Sequence, residues 1–419
     1  VVSTPLNDGM AKESRTTVLN PTEIVDVAED LLSNRCGGSQ ELHDVEQLTG
    51  SGAATVLRAR VAPSPFLQQR SVVLKYIPET GDKLDDAALL REVAAYQFTN
   101  SLSEEVRPGP VLLAHDIAKR IIVLTDSGDG DTFDDLLRHR GTEERREILR
   151  NLGSSLGRMH AATAGKEQAF ETLLARLLRN HPEIAELHEQ RDESLGFAVT
   201  AGVEILEAGG ISVPREVRTL ADESNTRLTV GRARAFTPFD LSPDNIIVSD
   251  KTHFLDYEWA AFRDVAFDIA CVIAGFPQFV STRPITDDEA VIFIESWVEE
   301  VSDIWPNARN EDMLHSRITI ALIGWAMSSL SLMRYGSLSG VVAQTARAVD
   351  AQKAEEYPSL LRPASEAPFT QDELLVRRDF YETFEALQRF AAAGRAPEHP
   401  VVAAFAAEVA ARVAEPGLK

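Results

Sequence analysis

The sequence predicts an α+β protein of two lobes, a small antiparallel β-rich lobe followed by a large, mainly helical one. Three observations carry this expectation. From Asp44 to Ile77 apolar residues recur with the period of two of half-buried strands, in VEQL, ATVLRARV and SVVLKYI. Beyond Gly130 the recurrence lengthens to helical spacing, as at Ile148, Leu152, Leu156 and Met159. Between the two regimes stands Thr125-Asp126-Ser127-Gly128-Asp129-Gly130, a polar, glycine-bearing break that reads as the connection between lobes.

Taken in order, residues 1–19 are polar and carry no packing pattern. Asn20-Pro21-Thr22-Glu23 has the layout of a helix start, with Asn as cap, Pro at the first helical position and Glu at the third. The helix should stop near Gly37-Gly38, so residues 1–39 read as an N-terminal extension carrying one helix. Residues 40–126 form the β-rich lobe. Its first two strands are separated by Gly50, Ser51 and Gly52, either an ordinary hairpin turn or a flap whose backbone N–H groups cover phosphates. On the third strand, alternation places Lys75 with Val73 and Ile77, opposite Leu74 and Tyr76. A lysine there either snorkels to solvent or reaches a bound phosphate. On the next helix, roughly 85–100, Glu92 stands in an apolar stripe with Ala88, Leu89, Ala95 and Tyr96. A buried carboxylate needs a partner, and Lys75 is the nearest in chain order. Two further strands follow at 111–113 and 121–124.

Residues 127–419 make up the helical lobe. Helices are expected at 133–138 and 142–161, in pieces between 170 and 230, and then at 287–303, 311–335, 340–353, 371–393 and 400–414. His160, at the end of the second, reads as a packed helix-terminal histidine.

The totals narrow the partners. With 42 basic against 65 acidic residues, a formal charge of −23 repels nucleic acid and anionic membrane and favours cationic ligands. The same surplus serves equally as a solvating surface. Cys36 and Cys271 lie far apart, which gives neither a disulfide framework nor a metal spacing and fits a reducing, cytoplasmic setting. The first residues show neither the basic nor the apolar region of a secretory signal. The uncharged run from Ile318 to Met333 falls short of the ~18 apolar residues of a membrane span and reads as a buried helix. No nucleic-acid or membrane partner is expected, and nothing in the sequence speaks to an oligomeric state.

The chemistry concentrates between Phe236 and Asp268. Asp240, Asn245 and Asp256 supply oxygen donors around a hairpin of Ile246-Ile247-Val248 and Phe254-Leu255. A two-residue turn at Asp250-Lys251 would set Asn245 directly opposite Asp256, with Asp240 in the preceding loop. Carbonyl and carboxylate oxygens so placed suit a hard cation such as Mg2+, completed by phosphate.

These residues resemble a known family. Asp240 and Asn245 in D-x-x-x-x-N spacing, Leu255-Asp256-Tyr257-Glu258-Trp259 after a hairpin, and Phe267-Asp268-Ile269-Ala270 follow a glycine-bearing turn, a strand lysine and a helical glutamate. That order is similar to the aminoglycoside phosphotransferase and choline kinase family, over roughly residues 40–280. The resemblance implies a bilobal protein-kinase-like fold and transfer of a phosphoryl group from ATP or GTP to a small hydroxyl-bearing substrate. It further implies that Asp240 acts as base and that Asn245 and Asp256 hold Mg2+. Lys75, held by Glu92, would contact the nucleotide phosphates, Gly50, Ser51 and Gly52 would cover them, and Asp268 would brace the catalytic loop. Where the family carries His-Gly before the aspartate, this chain carries Pro238-Phe239, which stiffens the loop and removes an imidazole. Glu295, Glu299, Glu300 and Asp303, with Trp297, are either a lining for a cationic amino-alcohol or aminoglycoside or a solvated helix face. The alternative to a kinase is a nucleotide-binding regulatory pseudokinase. A helical scaffold is a third reading, and it leaves Glu92 unexplained.

Overall fold

The helix start expected at Asn20 is a complete capping box: the Asn20 side chain accepts from the Glu23 N–H at 3.1 Å, and the Glu23 carboxylate accepts from the Asn20 N–H at 2.8 Å. It opens α1 (Pro21–Cys36), which ends before Gly37 at φ 81°. The computed structural model describes residues 18–48, 54–279, 283–335, 361–366 and 368–414. The Gly50-Ser51-Gly52 turn and the helix expected at 340–353 lie outside the described residues.

After α1 come β1 (Leu42–Leu48), β2 (Thr55–Val61) and β3 (Ser71–Tyr76), a short α2 (Lys83–Asp86), α3 (Ala88–Asn100), β4 (Leu112–Asp116) and β5 (Ile121–Thr125). The strands form one antiparallel sheet in the order β1-β2-β3-β5-β4. Alternation along β3 divides its faces as expected. Leu74 and Tyr76, with Leu57, Ala59 and Val72, pack against Ile24, Ala28 and Leu32 of α1. Val73 and Ile77 face the other way, into the large core that also takes in Val93 and Phe98 of α3. Lys75 shares that second face, with Val56 on one neighbouring strand and Ile122 on the other.

The remainder is mostly helical. A two-residue strand β6 (Asp131–Thr132) leads into α4 (Phe133–His139), α5 (Thr142–Thr163), α6 (Glu167–Asn180), α7 (Pro182–Ala208) and α8 (Arg215–Thr229). Then come β7 (Arg234–Thr237), β8 (Ile246–Val248), β9 (Thr252–Phe254), β10 (Ala261–Asp264) and α9 (Ala266–Ile273). The chain closes with α10 (Asp287–Val301), α11 (Glu311–Tyr335), α12 (Gln371–Ala393) and α13 (His399–Val413). Helix α5 lies so close to α10 that a Cβ at Gly153 would come within 2.3 Å of the Phe293 carbonyl. A buried bidentate pair, Arg145 to Glu289 at 2.7 and 3.0 Å, ties the same two helices. The long uncharged run falls in α11, where Ile318, Leu322, Ile323 and Met327 are buried. No helix among the described residues is long and apolar enough to cross a membrane.

Candidate functional site

β7 and β10 pair antiparallel, with Phe236 opposite Phe262 and Thr237 opposite Ala261, so the segment that begins at Pro238 leaves and re-enters the structure at one place. Within it Pro243–Asn245 makes a single 3-10 turn, and β8 and β9 form the expected hairpin. Its turn differs from the expectation. Val248 pairs with Thr252 and Ile246 with Phe254, so Ser249, Asp250 and Lys251 form a three-residue turn closed by a 3.0 Å bond from the Ser249 N–H to the Lys251 carbonyl. Asp250-Lys251 lacks the glycine or asparagine that a two-residue hairpin turn demands at its positive-φ positions. Leu255, not Asp256, therefore faces Asn245, its N–H donating to the Asn245 carbonyl at 2.8 Å. A one-residue slip turns a strand side chain to the other face. Asp256 lies past the end of the strand with its backbone in the left-handed region, φ 59°.

That turn delivers Asp256 to the sheet-bearing lobe. The Lys75 ammonium donates to Glu92 Oε1 at 2.7 Å and to Asp256 Oδ1 at 2.8 Å, joining a strand, a helix and the loop of the other lobe. Glu92 is 1% exposed and the Lys75 side chain 12%. The two carboxylates hold the lysine pKa above its ordinary value against the effect of burial, and Lys75 remains charged. Burial pushes Glu92 upward, opposed by Lys75 and reinforced by Asp256 and Glu258. Glu258 is pushed up in the same way, by burial and by Asp256. Lys75 and Arg191 together face Glu92, Asp256 and Glu258, which still leaves an excess of negative charge, the environment that a bound cation relieves. Asn245 is half-buried in the 3-10 turn. Among the described residues no cluster of three His, Cys, Asp or Glu side chains forms a ready-made metal centre.

Asp240 stands at the other end of the loop. One carboxylate oxygen, Oδ1, accepts from the Ser242 hydroxyl at 2.7 Å and from its N–H at 3.1 Å. Burial raises its pKa above the ordinary aspartate value, Ser242 pulls it back, and Asp256 and Asp244 add to the rise. Asp240 lines a cavity of about 360 Å³ together with Asp85, Phe239, Trp259, Phe276 and Trp325. Two aromatic faces at this cavity already carry cations of the chain itself. The Arg191 guanidinium lies 3.5 Å from the Trp259 ring centre and that of Arg263 4.4 Å from Phe239.

Behind the loop, Asp268 is fully buried and meets His160 Nε2 at 3.1 Å. Trp297 Nε1, which can only donate, bonds His160 Nδ1 at 3.0 Å. This leaves the imidazole proton on Nε2, pointing at the Asp268 carboxylate. Burial raises the Asp268 pKa, while His160, Arg263 and the Phe239 peptide N–H act to keep it charged. His160 is thus a packed histidine with two bonds, and it helps fix the region where the loop lacks an imidazole of its own.

The structure brings Lys75, Glu92 and Asp256 into direct contact, places Asp240 on the adjoining cavity and Asn245 at the foot of the hairpin. It does not bring the acidic face of α10 to that cavity. Glu295, Glu299 and Asp303 are exposed, Glu300 pairs with Arg158 at 3.0 Å, and Trp297 is buried against His160. Glu295, Glu299 and Glu300 form a solvated face of α10, Asp303 lies in the turn beyond its end, and Trp297 is a structural tryptophan. Trp259, which closes the Leu255–Trp259 stretch, lines the cavity, and so do Asp85 and Trp325, which carry no motif spacing and are brought there only by the fold.

The profile of the phosphotransferase enzyme family matches residues 67–297, more than half of the chain. No curated protein matches it. Among solved structures, a choline kinase, LicA, from Streptococcus pneumoniae is 14% identical, with 87% of this chain and 98% of that one covered at a TM-score of 0.44. A fructosamine-3-kinase assigned in Thermobifida fusca is 14% identical over 75% of this chain and 97% of its own, TM-score 0.40. An aminoglycoside phosphotransferase solved with streptomycin and ATP is 12% identical over 82% and 100%, TM-score 0.42.

Proposed function

We propose a function for a chain that belongs to the phosphotransferase enzyme family: it is a small-molecule kinase that moves the γ-phosphate of ATP or GTP to a hydroxyl of a small metabolite, amino-alcohol or aminoglycoside. The observation that carries this reading is the Lys75 ammonium held between Glu92 and Asp256, at 2.7 and 2.8 Å, beside a cavity lined by Asp240. Phosphoryl transfer asks a protein for positioning and charge neutralisation more than for covalent chemistry.

In this reading Asp240 accepts the proton of the acceptor hydroxyl. Ser242 fixes one of its oxygens, and burial makes the other a stronger base than an ordinary aspartate. Lys75, kept charged by its two carboxylates, neutralises phosphate oxygens of the nucleotide, and Glu92 keeps it in place. The Asn245 amide oxygen and the Asp256 carboxylate are hard donors that fit Mg2+, and the excess of carboxylate around Lys75 gives a cation reason to bind. The ion would neutralise charge on the phosphates during transfer. Gly50, Ser51 and Gly52 keep the role of phosphate cover that the family resemblance gives them. On the acceptor side, Asp85 makes no side-chain hydrogen bond or ion pair among the described residues. It faces a cavity that it shares with Asp240, Ser242 and Gln278 and with the aromatic rings of Phe239, Trp259, Phe276 and Trp325, and Arg191 is the cation that acts on it. Two carboxylates in one cavity support an acceptor with a cationic group as well as a hydroxyl.

The test is magnesium-dependent nucleotide binding by calorimetry, run beside product formation across aminoglycosides, amino-alcohols, sugars and amino acids. Nucleotide binding with no phosphorylated product from any acceptor identifies a regulatory nucleotide-binding protein instead. Asp240→Asn lowers transfer by about 10²- to 10⁴-fold while sparing nucleotide affinity, whereas Asp256→Asn weakens magnesium-nucleotide binding. Equal loss of binding in both variants contradicts the division of roles.

A further inference from the structure

Phe239, the residue before Asp240, has φ 69°, in the left-handed region. Glycine, which the related pattern carries here, enters that region freely, whereas a residue with a Cβ is held there at a cost of roughly 1–2 kcal/mol. A bulky aromatic in such a conformation calls for a compensating contact, and the structure supplies several. The Phe239 ring stacks on Trp325, with centroids 4.9 Å apart and planes at 27°. The Arg263 guanidinium lies over it at 4.4 Å, and Phe267 meets it at 5.9 Å. The partners are themselves fixed: Arg263 donates to the Trp259 carbonyl at 2.6 Å, and Trp325 Nε1 to the Phe267 carbonyl at 2.8 Å. An aromatic pair contributes about 0.5–1.5 kcal/mol and a desolvated cation–π contact up to about 2, enough to offset the backbone cost.

We propose that Phe239 is a positioning residue, whose ring, clamped by Trp325 and Arg263, holds the left-handed turn that presents Asp240 to the acceptor cavity. The conformation that glycine adopts freely is here enforced by side-chain packing from α11 and β10. The proposal rests on the reading of Asp240 as base.

The experiment compares the full chain with Phe239→Ala, Phe239→Gly and Phe239→Tyr. It reads magnesium-ATP affinity by calorimetry, turnover of ATP with water as acceptor, and the titration of the Asp240 carboxyl by carbon-13 NMR. Phe239→Ala keeps the backbone cost and loses the clamp. Its turnover falls tenfold or more while the KM for ATP stays within twofold, and Asp240 titrates nearer to an ordinary aspartate. Phe239→Gly recovers part of that loss because glycine tolerates the turn, and Phe239→Tyr recovers most of it because the ring is retained. Turnover and titration in Phe239→Ala that match the parent overturn the proposal, as does a Phe239→Tyr variant no better than Phe239→Ala. A change confined to the KM for ATP also overturns it, since that marks an effect on nucleotide binding instead of on Asp240. If the parent protein has no turnover at all, the kinase reading fails, and the Asp240 titration alone decides the positioning role.

Discussion

Ser242 donates twice to a single oxygen of Asp240, and both bonds favour the charged carboxylate. Its removal therefore has a signed consequence. The Asp240 pKa is already raised by burial, so transfer is lost as pH falls through a value above that of an ordinary aspartate. Ser242→Ala deletes the hydroxyl bond, raises that pKa further and moves the acidic limb of the kcat profile upward. An unmoved limb means that another group controls it. Part of this was legible at the residue scale: Asp240, Asn245 and Asp256 announce themselves by spacing, whereas the Ser242 bonds to Asp240 appear only in the folded loop. Phe239, Trp325 and Arg263 were not legible as a unit. They come from a loop, a helix and a strand far apart along the chain, and only the packed lobe places their rings and guanidinium together.

Elements were legible where local chemistry decides them and obscure where partners do. Asn20 marks a helix start that the structure reproduces as a complete capping box, and the helices expected at 287–303 and 371–393 open on the same device at Thr286 and Thr370. The hairpin turn missed by one residue, because turn length answers to backbone conformations that Asp250 and Lys251 do not supply. The contact of α12 with the loop at Phe276–Gln278, which lines the cavity, had no signal at all. Asp379 of α12, 3% exposed, accepts from the Gln278 N–H at 2.8 Å and so holds the loop in which Phe276 and Gln278 have φ of 62° and 72°. Burial pushes its pKa up to about 7 from 3.8. A carboxyl with a raised pKa in the folded state contributes stability that is present below its unfolded pKa and lost as pH rises through the folded one, here between about 4 and 7. Asp379→Asn keeps the acceptor and cannot ionise. Relative to the parent it should gain on the order of 1–3 kcal/mol at pH 8 and little at pH 4 in urea unfolding. An equal effect at both values rules out the titration of Asp379 as the cause.

At the scale of the whole molecule, the order of parts was readable before the contacts between them. A strand-period block, a polar break and a helix-period block give two lobes in sequence, and the buried Glu92 demanded a cation. The sequence paired Glu92 with Lys75 but gave no sign that the same ammonium also bridges to Asp256 in the other lobe. That bridge makes one residue both a structural tie and a proposed phosphate ligand, and the two roles separate experimentally. Lys75→Met strands Glu92 in an apolar setting, and breaking a buried pair in this way costs about 3–5 kcal/mol. Burial already lifts the Glu92 pKa, so protonation relieves the variant, and its deficit should be smaller at pH 5 than at pH 8. Adding Glu92→Gln removes the stranded charge, and the double variant should regain most of the lost stability at pH 8. It should not regain nucleotide binding, because the ammonium is still missing. Thermal unfolding with and without magnesium-ATP reads both quantities at once, since a ligand at a hundredfold its Kd adds about 2.7 kcal/mol to a protein that binds it. A double variant that is restored in stability and also stabilised by magnesium-ATP contradicts the assignment of Lys75 to the phosphates. One that remains as unstable as Lys75→Met places the cost in the lost bridge to Asp256 instead of the stranded glutamate.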